Sequence, residues 1–467
     1  MYREASSGAT QLGHVVAQTC HTHEPLGAYA TSDRINYLFL DRHGVLNITS
    51  ERSATNTCSS SVASEYPLFD WDEREMRDTY SVGLSGLPNT RPLFITDNVV
   101  PPALTAEGKG VTVVVVGPVH AGIIEPGRFT ISSGGETVIH MDAQLSYSRR
   151  GVERFLEGQS ALDAASRVSR ICAACSVARS WAYARALEHL AGIACNEASE
   201  WARVVVAELE RIYNHIFDLA SSAAGAGYGY GQTHGLALKE RVHELCAATS
   251  GHRMLFDAIV PGGIRSGVLS DPEALCVKVA ALREDVDTYV QALFRNASVM
   301  QRFEGAGYVS PETARAFGAV GPARRASGGT IDIRSYLPYG AYREHPPARH
   351  GEAGGDVAAR CNVKRVELAE SFALIDHALR EMSGYGPPPP QPFQASAGVV
   401  TTLVEGPRGS ESISVECDRH GRLTRIHVIS ASYRNWPVVL RAMEGNIIPD
   451  FPLVNKSFNL CYACADR

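Results

Sequence analysis

The chain of 467 residues has no segment long and apolar enough to cross a bilayer. Its most apolar run, Val111–Val116 interrupted by Thr112, is far short of the ~20 residues a spanning helix needs. Any membrane association is therefore expected to come through partner proteins. Charge of one sign is also missing. The 44 basic and 50 acidic residues leave a net charge of −6, which gives no footprint for nucleic acid or an anionic lipid surface. The N-terminal MYREASSGATQ has no apolar h-region, so no Sec signal peptide is expected. Internal repeats are absent. Cysteine is present, eleven in all, but an odd count in a long chain without an export signal argues against a disulfide framework.

What is there fills more than one core. A chain this long exceeds the roughly 250–300 residues one core supports, so two or three domains are expected. INYLFLD and VLNIT have the β-branched and apolar bias of strands, and residues 69–93 open with a short helix of mixed charge. Residues 95–110 read as a linker through Pro101-Pro102 and a Gly/Lys ending. VTVVVVGP and RFTISSGGETVIHMDAQLSY then read as strands, the latter as a hairpin across Ser-Ser-Gly-Gly. From residue 150 the period turns helical. Ser160-x-x-Asp163 opens a run to about Leu190, with Gly192 as its stop. Further helical runs cover Trp201 to Leu219, 236–259, 271–303 and 356–383. GPPPPQPF breaks the pattern as an extended segment, and three short strands follow it. The fold class is α+β, with a small N-terminal α/β domain and a mainly helical domain with peripheral sheets.

The most informative stretches are CAAC, Cys172 to Cys175, and CYAC, Cys461 to Cys464, close to the last residue. Eleven scattered cysteines would give only about a quarter of one such pair by chance. A Cys-x-x-Cys turn presents two thiolates to one soft metal ion. Cys175 and Cys461 stand 286 positions apart, which excludes one zinc ribbon, and the first pair lies in a helical context rather than a thioredoxin-type βαβ unit. The remaining option is one four-thiolate site stapling the tail into the helical core. Structural zinc, an iron–sulfur cluster and a nickel–iron site all suit those donors.

RICAACSVARSWAYARALE and SFNLCYACADR resemble the two nickel motifs of NiFe-hydrogenase large subunits. GPVHAGIIEPGRF, YSRRGVERFLEGQ, VPGGIRSGV, GDVAAR, VEGPRGS, YRNWP and IIPDFPL resemble segments of the formate hydrogenlyase and energy-converting branch of that family. That branch is homologous to the 49-kDa quinone-site subunit of respiratory complex I. FDWDEREMRDTYSVGLSGLPNTRPL resembles the complex I 30-kDa subunit, fused to the large subunit in formate hydrogenlyase. The resemblance covers about residues 65–467. It implies a 30-kDa-like domain over 1–108 and a domain like the NiFe-hydrogenase large subunit over 109–467. It implies that Cys172, Cys175, Cys461 and Cys464 hold nickel, with Cys175 and Cys464 bridging to an iron carrying CO and cyanide. Glu125 matches a proton-relaying glutamate; the plainer alternative is a helix-turn carboxylate ahead of Pro126. Arg408 matches the arginine suspended over the open metal face; the alternative is a surface partner of Glu405. A small subunit with a 4Fe–4S cluster, membrane subunits on the cytoplasmic face and a maturation protease cutting after Arg467 are implied partners.

The chain departs from the family pattern. Ala173, Arg179 and Asn459-Leu460 stand where Gly, His and Asp-Pro are usual, and Arg128 and Arg149 stand at expected histidines. Arginine only donates and keeps its charge, so hydrogen bonding around the site is expected to differ. Two other readings stay open: a complex I-like quinone-module subunit and a scaffold with a zinc staple. A shared site predicts all four sulfurs within about 4.6 Å of one another, twice a metal–thiolate bond, and pairs more than about 10 Å apart would exclude it. It also requires the apolar tail, Ile447 to Leu460, to be buried.

Overall fold

The computed structural model describes residues 2–8, 11–52, 59–95, 99–120, 124–382 and 386–467. Strands β2 (Glu24–Ala30), β3 (Arg34–Asp41) and β4 (Gly44–Glu51) form an antiparallel meander, and β1 (Tyr2–Ser6) pairs parallel to β4. The β-branched stretches expected as strands thus make one sheet. Helices α1 (Leu12–Cys20) and α2 (Asp70–Tyr80) close a small core on it, built from Leu12, Val16, Tyr37, Phe39, Phe69 and Met76. α2 is not a solvated face despite its charge. Asp72, Glu73, Arg74 and Glu75 are all buried, because each carboxylate or guanidinium meets a partner. Asp72 pairs with Arg434, and Glu75 with Arg467, both from the far end of the chain.

A three-stranded antiparallel sheet follows, Val111–Val116, Arg128–Gly134 and Thr137–Gln144. The helical part is organised around α6 (Glu197–Gly225), a 29-residue column buried over most of its length. Asn196 caps its first turn through the Ala198 N–H. Helices Gly229–Ser250, Val357–Glu381 and Phe451–Phe458 pack along it, and the sheet Gly398–Gly406, Gly409–Cys417, Leu423–Ile429 lies across α5 (Ser176–Ala191).

Several expected helices are cut differently. The run expected over 160–190 is two helices. One is the segment α4 (Ala161–Ser169), capped by Ser160, and the other is α5, closed by Gly192 in the left-handed region. Between them the backbone extends at Cys172 and tightens into a short 3₁₀ turn, Ala173–Cys175. The run expected over 271–303 breaks at Asn296, whose side chain caps the second piece, Ala297–Phe303. The run expected over 236–259 starts earlier and stops at Ser250, where Gly251 turns left-handed. Residues 386–393 form neither helix nor strand.

Candidate metal centre

The break between α4 and α5 presents the first cysteine pair. Cys172 is extended and Cys175 sits at the N-cap of α5, where hydrogen bonding with Cys172, Cys461 and Cys464, together with burial, pushes its thiol well above the ordinary range. The second pair is carried by the last helix, Tyr462–Asp466, with Cys461 at its N-cap. The Cys461 N–H is held by Ser432 Oγ at 3.0 Å, and Ser430 Oγ donates to the Cys464 carbonyl at 2.9 Å. All four Sγ atoms lie within 4.8 Å of one another. Cys175 and Cys464 are buried to 1% and 0% exposure, while Cys461 is only partly buried. The Cys461 thiol is held well below the ordinary thiol range by hydrogen bonds from Cys172, Cys175 and Cys464, with Arg408 adding its charge.

One face of α6 supports both sides of the cluster. Glu210 accepts the N–H groups of Val177 (2.7 Å) and Ala178 (3.0 Å), satisfying the first turn of α5 behind Cys175. Burial pushes Glu210 up to about 7 in spite of those bonds. One turn on, Asn214 donates to the Ala174 carbonyl at 2.8 Å and accepts from Arg408 Nη1 at 2.7 Å. Asp218, a further turn on, faces Arg408 Nη2 at 3.6 Å and Lys364 at 2.7 Å. Arg211 donates to the carbonyls of Glu405 and Gly406 and so holds the hairpin that carries Arg408. Arg408 and Pro407 form the two-residue turn between Gly406 and Gly409. Gly409 is needed there: at φ +128°, an added Cβ would lie 2.7 Å from the Gly321 nitrogen. Arg408 is buried and also bonds the Asn459 carbonyl, so it is not the surface partner of Glu405, which pairs with Arg325. Glu210, Asn214 and Asp218 escaped the sequence reading. Their signal was polar residues at four-residue spacing inside an otherwise apolar helix.

Glu125 is exposed rather than buried, and its Oε2 accepts the Ala463 N–H at 2.7 Å, between the two tail cysteines. It lines a cleft of about 530 Å³ that opens onto Cys172 and Cys461 and is walled by Arg408, Tyr213 and Phe256. Gly127 lets this loop close on the tail, since a Cβ there would sit 2.4 Å from the Tyr462 ring. Arg179, the replacement for histidine, is fully buried. Its Nη2 donates to Cys464 Sγ at 3.2 Å and to Glu411 Oε2 at 2.9 Å. Burial pushes Glu411 up to about 7 against the pull of Arg179.

The tail threads inward. Leu453, Val454, Phe458 and Leu460 are buried, whereas Ile447, expected in the core, is 37% exposed where it enters the last stretch. Asp466 accepts the N–H groups of Ser146 and Ser148. Arg467 is buried between Glu75 and Glu153. Asn459 ends the preceding helix in the left-handed region, φ +50°, and its side chain bonds Asp218.

Four soft donors at one point fit a nickel–iron pair, and two buried guanidiniums offset the negative charge that four thiolates carry. Arg179 Nε and Nη1 find no acceptor among the described residues, leaving donors for groups that the centre itself would bring. Fold and site together define an oxidoreductase subunit with a four-cysteine metal centre. The chain belongs to the family described as respiratory-chain NADH dehydrogenase, 49 Kd subunit, which it matches over residues 231–392 and 389–467. Residues 150–219 match the nickel-dependent hydrogenases and residues 6–106 the respiratory-chain NADH dehydrogenase 30 Kd subunit. Formate hydrogenlyase subunit 5 of Escherichia coli (strain K12) is 30% identical over 436 residues, 87% of this chain and 76% of the relative. Hydrogenase-4 component G of the same organism is 28% identical over 440 residues, 87% and 75% of the two chains. An NADH-quinone oxidoreductase subunit of Carboxydothermus hydrogenoformans is 28% identical over 358 residues, 75% and 97%. Among solved structures, the fold matches a chain from the membrane-bound sulfane sulfur reductase, an archaeal respiratory membrane complex. The TM-score is 0.70 at 24% identity, over 77% of this chain and 99% of that one.

Proposed function

We propose that the chain is the catalytic large subunit of a membrane-associated NiFe hydrogenase of the formate hydrogenlyase type, interconverting H₂ with two protons and two electrons. The observation that carries this is the meeting of four thiols from two Cys-x-x-Cys pairs at one buried point. Cys172, Cys175, Cys461 and Cys464 would hold a nickel–iron pair whose iron would carry CO and cyanide ligands. When bound, that centre supplies the site of H₂ cleavage and its electron store. The chain's own residues supply the rest. Arg408, fixed by Asn214, Asn459 and Asp218, orients the substrate at the mouth of the cluster. Cys461 faces the cleft and takes a proton, and Glu125, bonded beside it, passes that proton to solvent. Residues 1–108 form the 30-kDa-like domain and 109–467 the hydrogenase domain.

Electrons leave through a partner. Among the described residues, Cys20, Cys195, Cys246, Cys276, Cys361 and Cys417 form no second thiol cluster. A small subunit with a 4Fe–4S cluster receives the electrons. No helix of the described residues is long and apolar enough to cross a membrane. The relatives in membrane complexes support membrane subunits as the anchor, on the cytoplasmic face. A maturation protease acts at the tail after nickel insertion.

Metal analysis of the purified complex tests this reading. Nickel is expected, with iron in excess of it because the partner's 4Fe–4S cluster adds to the iron of the centre; zinc alone, or no metal, overturns it. Cys464→Ser replaces a soft bridging ligand with a hard one and is expected to lose nickel and H₂ activity together. Full nickel occupancy in that variant counts against the assignment. The partly apolar cleft favours a second reading, a quinone-module subunit, which predicts quinone binding without nickel.

A further inference from the structure

Arg179 is the departure from the family pattern that the structure ties directly to the cluster. Its guanidinium is fully buried on α5, one turn after Cys175, and it touches Cys464 without lining the Glu125 cleft. One nitrogen serves two acceptors, Cys464 Sγ and Glu411 Oε2. Glu411 is itself anchored from the hairpin strand Gly409–Cys417, where its other oxygen accepts the Ala431 N–H at 3.2 Å. The sequence sulfur, guanidinium, carboxylate, backbone amide is thus a chain of charge-assisted bonds among buried groups. There a charge is felt far more strongly than at the surface. A neutral histidine at this position would give one N–H to the sulfur and no permanent charge. Arginine gives the N–H and a full positive charge, balanced by a carboxylate placed one bond further out.

We propose that Arg179 is a positioning residue that holds the Cys464 sulfur toward the centre the four cysteines would bind and, with Glu411, would set the redox potential of that centre. The proposal rests on the nickel–iron reading above. A cation beside the sulfur withdraws electron density and favours the reduced centre. A carboxylate behind that cation opposes it. The two residues should therefore move the potential in opposite directions, which a merely structural role would not do.

The experiment uses the purified complex with wild type, Arg179→Gln, Arg179→Lys and Glu411→Gln. Metal stoichiometry is measured first, then the midpoint potential of the centre by a spectroscopically monitored redox titration. The titration is run at alkaline pH, above the Glu411 midpoint of about 7. Arg179→Gln should shift the potential negative, Arg179→Lys should shift it less, and Glu411→Gln should shift it positive. If Arg179→Gln fails to retain nickel, recovery of nickel in Arg179→Lys supports the role of the charge at Cys464. Equal loss in both Arg179 variants, or unchanged potentials in metal-replete variants, overturns the proposal while leaving the hydrogenase reading intact. A wild-type complex without nickel overturns both.

Discussion

Single side chains decide whether this cluster is a catalyst or a staple. Glu125 sits at the exposed rim yet holds the tail helix through the Ala463 N–H, so the proposed proton relay can be tested apart from this anchoring bond. Glu125→Gln keeps an acceptor for that N–H and removes the ionisable oxygen. Nickel content should persist while H/D exchange and turnover fall by about 10²–10⁴-fold, the size of a lost acid–base step. Unchanged turnover would mean that protons leave elsewhere. Arg408→Lys tests the other wall. Lysine keeps the charge but lacks the fork that reaches Asn214 and Asn459 together. Nickel should be retained and turnover should drop by about 10²-fold, as expected for a misplaced electrostatic group; wild-type rates would remove Arg408 from the site. The cysteine pairs were visible in the sequence because their spacing is rare, whereas Glu125 and Arg408 were singled out only by the resemblance to NiFe-hydrogenase large subunits. Arg179 was visible only as an oddity, since its partner Glu411 lies 232 positions away.

At the scale of elements, α6 bears the site. Its Glu208 is fully buried and accepts from Arg211, Arg334, Tyr342 and Ser371. Burial alone would raise its pKa, but Arg211 and Arg334 outweigh it and bring the group down to about 2. A depressed carboxylate adds stability that is complete above its ordinary value of 4.5 and disappears as pH falls toward 2. Over that window the wild type should lose about 3 kcal/mol through this group, measured by urea unfolding at stepped pH. Glu208→Gln should flatten that part of the profile and be less stable at neutral pH. A profile identical to wild type would show that Glu208 is not the group responsible. The same helix shows where sequence reading stopped. Its apolar period announced a buried helix, but burial on every side hides which polar residues face the cluster. The break between α4 and α5 was equally hidden. Ala173 and Ala174 are good helix formers, and the turn is held by contacts from Asn214 and Glu210 that only the folded chain provides. The end of α5 was legible because Gly192 marks it locally.

At the scale of the whole molecule, the cluster joins the last stretch of chain to the first half of the helical core, and the tail in turn meets helix α2 of the N-terminal unit. Asp72→Asn would leave Arg434 buried without its carboxylate, at a cost of about 3–5 kcal/mol. The expected result is a lower unfolding midpoint with unchanged nickel per folded molecule; unchanged stability would mean that Arg434 finds water or another partner. Removal of the metal should loosen residues 451–467 and make them sensitive to limited proteolysis, whereas equal resistance with and without metal would show that packing alone holds the tail. Arg467 gives this arrangement a further consequence. Its side chain lies between Glu75 of the N-terminal unit and Glu153 of α3 (Val152–Leu156). Seating the tail and docking the N-terminal unit are therefore thermodynamically linked, and linkage is reciprocal. Whatever factor metal loading contributes to the affinity of the N-terminal unit for the core, that unit returns to the affinity of the core for metal. Under the proposed function, the N-terminal unit would thus sense whether the buried centre is loaded.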